Sequence, residues 1–152
     1  MSKGVLYGVG TGPGDPELLT IKAVRTIESC PVIAAPQTAD GVMVALDIVR
    51  GAVDLTGKTV IPVRFSMTRD LERRAAEHAS LVRELVAHLD AVRDVALLNL
   101  GDPSIYATFQ RIAPDVRARG FEARAIPGVP SCCAVAAALE RDLTPEMSSP
   151  LH

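Results

Sequence analysis

Five short apolar runs punctuate the chain, and the stretch after each carries apolar residues three or four positions apart. The runs lie at residues 5–9, 31–35, 58–63, 95–100 and 122–126 and read as strands. Residues 95–100 show no alternation, as expected of a strand covered on both faces of a parallel sheet. The intervening stretches predict helices. One starts at Asp15 and runs through Leu18, Leu19, Val24 and Ile27, and a second covers residues 41–53. The longest, 71–90, places Leu71, Ala75, His78, Val82, Leu85 and Leu89 on one stripe. A fourth covers 105–119, closed by Gly120, and a nearly all-apolar fifth covers 132–139. Strand and helix alternating five times predict an α/β fold, a mostly parallel five-stranded sheet with helices on both faces. From Arg141 the periodicity stops, and Pro145, Ser148, Ser149 and Pro150 read as a linker, so the domain is expected over residues 1–140.

Three of the strand ends are unusual. Val9 leads into Gly10-Thr11-Gly12-Pro13-Gly14-Asp15-Pro16, Leu100 into Gly101-Asp102-Pro103, and Ile126 into Pro127-Gly128-Val129-Pro130-Ser131. Asp is a good helix cap and Pro suits the first helical position, so both Gly-Asp-Pro joints predict a helix start. In a parallel sheet all three turns fall at the carboxyl edge, where open α/β sheets bind small molecules. The first turn is not a dinucleotide fingerprint, because the third glycine position falls on Pro13 or Asp15. Nor is it a phosphate loop, since no Gly-Lys-Ser/Thr follows. Acidic residues at two joints disfavour a phosphate and tolerate a cation.

Composition narrows the possibilities. With 152 residues there is room for one domain of ordinary size. Aromatic residues make up 3% and the net charge is −2, so neither stacking platforms nor a basic footprint for nucleic acid or anionic membrane exist. No apolar run approaches the roughly 20 residues that span a bilayer. The amino terminus lacks a signal-peptide pattern, and a cytoplasmic location is expected. Cys30, Cys132 and Cys133 read as small buried apolar residues, and with His78, His88 and His152 scattered no metal site is expected. His78 is read as a satisfied histidine at the edge of its stripe, and Arg73, Arg74 and Arg83 as a solvated face.

At its three turns the chain resembles the tetrapyrrole (corrin/porphyrin) methylase family. The matching motifs are G-x-G-P-G-D-P-x-L-L-T at 8–20, G-D-P-S-I-Y at 101–106 and P-G-V-P-S at 127–131. The wording G-D-P-S-I-Y-A-T-F-Q at 101–110 is most similar to precorrin-2 C(20)-methyltransferases. The resemblance covers almost the whole chain but only the family's N-terminal domain. It implies an interdomain linker at 141–152, a second α/β domain beyond it, and a methyl donor, S-adenosylmethionine, in the cleft between the two.

Carried over motif by motif, the resemblance implies donor contacts at Pro13, at Leu100, Gly101, Asp102 and Ile105, and at Pro130 and Ser131. Asp102 either caps a helix or accepts a hydrogen bond from the ligand. The implied reaction moves a methyl group from a sulfonium to carbon 20 of precorrin-2, giving precorrin-3A, with no general base singled out. Uroporphyrinogen methylases carry an Asp shortly after the second strand where this chain has Pro36, which disfavours that substrate. Arg64, Arg69 and Arg73 are positioned to meet substrate carboxylates, and the helix at 132–139 could support a homodimer. Two alternatives stay open: a cobalt-precorrin-2 methylase, and a non-catalytic half-domain that binds the donor weakly or not at all.

Overall fold

The computed structural model describes residues 2–144. Five parallel strands, β1 (Val5–Gly10), β2 (Val32–Pro36), β3 (Thr59–Val63), β4 (Val95–Asn99) and β5 (Glu122–Ile126), form one sheet in the order β3-β2-β4-β1-β5. The helices are α1 (Ile21–Ser29), α2 (Val44–Arg50), α3 (Leu71–Asp90), α4 (Thr108–Ala118) and α5 (Ser131–Ala138). All five expected strands are present, and β3, which carries Pro62, lies at an edge where its missing N–H is harmless.

The alternation of side chains along each strand separates two cores. Val95 and Leu97 of β4 join Leu6, Val32 and Ala34 beneath α3 and α4; Ala96 and Leu98 join Val9, Ile33 and Ala35 beneath α1 and α2. Because β4 is central, every one of its residues is buried, which is why its sequence shows no polar alternation. The α3–α4 side needs Gly8: a Cβ there would stand 2.2 Å from the Phe109 ring.

Several expected boundaries move. Asp15 caps as predicted, its Oδ1 accepting the Glu17 N–H at 2.9 Å, but the helix is a single 3-10 turn over Pro16–Leu18. The chain then extends at Leu19 and restarts as α1, with Thr20 accepting the Ala23 N–H as a new cap. Around α2 the outer residues of 41–53 lie outside the helix. On α3 the predicted stripe is buried only in its C-terminal half, at Val82, Leu85 and Leu89 together with Leu81; Leu71 and Ala75 are exposed. His78 is half-buried and paired with Asp115 of α4. Cys30 is buried as read from the sequence, but Cys132 and Cys133 are exposed, because α5 buries none of its residues. The linker residues Pro145, Ser148, Ser149 and Pro150, and also His152, lie outside the described residues.

The largest departure is at the central joint. No helix starts at Gly101-Asp102-Pro103; residues 103–106 form turns and bends, and α4 begins only at Thr108. Its cap position, Ala107, has no side-chain acceptor to offer. Asn99, at the end of β4 and 3% exposed, supplies one instead: its Oδ1 accepts the Phe109 N–H at 3.2 Å.

Candidate functional site: a hollow at the carboxyl edge

The strand order puts β4, β1 and β5 side by side, so the three unusual turns are neighbours at one edge. They meet backbone to backbone. Gly12 and Gly101 exchange hydrogen bonds, Gly101 N to Gly12 O at 2.9 Å and Gly12 N to Gly101 O at 3.3 Å. Thr11 donates both its N–H and its hydroxyl to the Asn99 carbonyl, at 2.9 and 3.1 Å. A Cβ on Gly10 would stand 2.6 Å from Gly101 O and 2.7 Å from Gly128 Cα; one on Gly128 would stand 2.2 Å from Gly101 O. No side chain fits between these turns, which explains glycine at both positions.

Asp102 completes the junction. Its Oδ1 accepts the Gly128 N–H at 2.8 Å, and its Oδ2 accepts the Ser104 N–H at 2.9 Å and the Ser104 hydroxyl. Burial alone would raise the Asp102 pKa, but these three donors outweigh it and hold the carboxyl below its ordinary value. Both oxygens thus have protein donors, so the expected helix cap is not what Asp102 does. It fastens the second turn to the third.

Above this junction lies a hollow of about 370 Å³ lined by Pro13, Val44, Leu100, Gly101, Asp102, Ile105, Tyr106, Pro130 and Ser131. The structure therefore brings all seven sequence-predicted residues to one place. Val44, the first residue of α2, and Tyr106 were missed. No motif marks Val44, because only the packing of α2 against the sheet carries it there. Tyr106 did have a signal, as the last letter of G-D-P-S-I-Y. It is fully exposed and holds φ +48°, a left-handed conformation uncommon outside glycine.

The lining suits a ligand with an apolar body and polar edges. Leu100, Ile105 and Val44 are 52%, 47% and 44% exposed, an unusual clustering of bare aliphatic surface. Gly101, at φ +64°, is where a backbone can approach closely; a Cβ there would point at Pro130 Cα, 3.5 Å away, and Ser131 N, 4.0 Å away. An ionised Asp102 contributes the negative charge. Among the described residues no group of three His, Cys, Asp or Glu side chains could hold a metal, and no helix is long and apolar enough to cross a membrane.

The family model for Tetrapyrrole (Corrin/Porphyrin) Methylases matches residues 5–149. This chain belongs to that family. Among curated relatives of this chain, the cobalamin biosynthesis protein CobIJ of Mycobacterium tuberculosis is 36% identical over 149 residues, covering 93% of this chain and 29% of that protein. A probable cobalt-precorrin-2 C(20)-methyltransferase of Methanocaldococcus jannaschii is 33% identical, covering 88% of this chain and 56% of its own length. For a precorrin-2 C(20)-methyltransferase of Sinorhizobium sp the values are 32%, 83% and 54%. The chain thus spans about half the length of the latter two relatives, and less of the first.

Solved structures agree on the fold. The cobalt precorrin-4 methyltransferase CbiF superposes with a TM-score of 0.70 at 26% identity, over 93% of this chain and 52% of that one. The uroporphyrin-III C-methyl transferase of Thermus thermophilus, complexed with S-adenyl homocysteine, gives 0.63 at 28%, over 88% and 48%.

Proposed function

We propose that this chain is the donor-binding half of an S-adenosylmethionine-dependent C-methyltransferase of corrin synthesis, acting on precorrin-2 at carbon 20. One observation carries the reading: the seven residues named from the methylase motifs line a single hollow where the three turns meet. The relatives named for C(20) methylation and the run G-D-P-S-I-Y-A-T-F-Q favour carbon 20. Cobalt-precorrin-2 is the second reading, supported by the Methanocaldococcus relative.

The donor supplies an activated methyl group on a sulfonium. Leu100, Ile105 and Val44 would cover its apolar parts, and Gly101 leaves room for close approach beside Ser131 N. Asp102 keeps the turns in register and adds negative potential near a cation. With an activated methyl group, the chain's task is alignment and exclusion of water, which can contribute on the order of 7–11 kcal/mol. Helix α5, apolar and uncovered among the described residues, supports a homodimer, and the three free cysteines fit a cytoplasmic location.

Calorimetric titration with S-adenosylhomocysteine tests the hollow, and methyl transfer to precorrin-2 and cobalt-precorrin-2 tests the acceptor. The chain is expected to bind S-adenosylhomocysteine. Absence of binding overturns the reading.

A further inference from the structure

The hollow over Gly101 does not end at Tyr106. That residue also lines a second depression, with Ala107, Thr108, Gln110 and Arg111. Arg111 in turn lines a third, of about 280 Å³, whose walls are residues 65–68, Arg74 and Glu77. Shared residues thus connect the three into one trough, from the donor hollow past an exposed aromatic ring to a pair of arginines.

The arginine end is built for an anion. The Arg111 guanidinium lies 5.6 Å from the centre of the Phe65 ring, within cation–π range. Among the described residues neither Arg74 nor Arg111 pairs with a carboxylate. Glu77, the one acidic residue in the wall, is already engaged. Its Oε2 accepts the Ser66 N–H at 3.0 Å and its Oε1 lies 3.4 Å from Arg73 Nε, and these contacts hold its carboxyl below the ordinary value. The positions favoured by sequence are occupied or elsewhere: Arg73 faces Glu77, Arg64 bonds Gln37, and Arg69 does not line the trough.

We propose that Arg74 and Arg111 hold an ionised carboxylate of the methyl acceptor, whose planar body lies across Tyr106 toward the Gly101 hollow. The assignment of the anion to an acceptor rests on the donor reading given above. A forked guanidinium and a carboxylate match in geometry, and two uncompensated arginines at one end of a trough fix which way a polycarboxylate lies in it.

Uroporphyrin III, a stable octacarboxylate, serves as the probe, followed by absorbance on the unmodified chain and on Arg74→Gln, Arg111→Gln and the double variant. S-adenosylhomocysteine affinity is measured on all four. The double variant is expected to bind uroporphyrin about tenfold more weakly or worse, with S-adenosylhomocysteine affinity unchanged. Arg111→Lys should recover little, because it keeps the charge and loses the fork. No uroporphyrin binding to the unmodified chain, or double-variant affinity within about twofold of it, overturns the proposal. Arginine-dependent uroporphyrin binding without S-adenosylhomocysteine binding removes the donor reading and leaves the anion site standing.

Discussion

The Asp102 carboxylate and the Gly128 amide are bonded at 2.8 Å across the end of β1, which lies between the strands that carry them. The bond passes over Gly10, and a side chain at that position would block it. Turns 26 residues apart along the chain are thereby held at one spacing, and the width of the hollow follows from that spacing.

Stability should depend on this carboxylate in acid. Its pKa in the folded chain is depressed, so its contribution is complete above the ordinary aspartate range and is lost as pH falls through the lower, folded value. Asp102→Asn keeps an acceptor for Gly128 but turns an amide toward the Ser104 donors. Urea denaturation is expected to show the variant less stable at neutral pH, with the gap closing in acid. A gap independent of pH would rule out the carboxylate as its source.

Replacing Gly101 should harm both fold and site. Alanine in the left-handed region costs about 1–2 kcal/mol, and its methyl would point toward Pro130 and Ser131. Gly101→Ala is expected to weaken S-adenosylhomocysteine binding, and Gly101→Val to abolish it, in calorimetry. Full affinity in the valine variant would mean that the ligand does not approach this backbone.

Asn99 is the predicted weak point of α4. Asn99→Leu fills the space but leaves the Phe109 N–H without its acceptor, a loss of about 1–3 kcal/mol. Chemical denaturation measures the loss directly. An unchanged midpoint would show that the helix start is satisfied from elsewhere.

The thiols should divide two to one. Cys132 and Cys133 are exposed, while Cys30 is buried and its thiol is pushed up to about 12, chiefly by burial. Ellman's reagent at mild alkaline pH is expected to titrate two thiols in the folded chain and three in denaturant. Three fast thiols without denaturant would contradict the packing beneath α1.

Strand content and the gathering of three turns could be read from letters alone, because period and glycine placement are local signals. The outcome at the two Gly-Asp-Pro joints could not. At Asp15 the side chain is free to cap and a short helical turn follows; at Asp102 the same side chain is drawn to Gly128, and the helix waits for Asn99. Identical triplets diverge because one has a partner from a distant strand. The exposure of Cys132 and Cys133 was hidden for a related reason, since apolar composition states a preference for cover without saying whether it is met. Arg74 and Arg111 belong to different helices, and no spacing rule links them.

A pocket that lies beside a junction of peptide backbone separates two kinds of change. Replacing Val44, Ile105 or Tyr106 would recontour the walls and leave the junction of Gly10, Gly101 and Gly128 undisturbed. The fit of a ligand to the hollow can therefore be retuned one wall residue at a time, whereas any alteration at the three glycines disturbs the junction that holds the turns together.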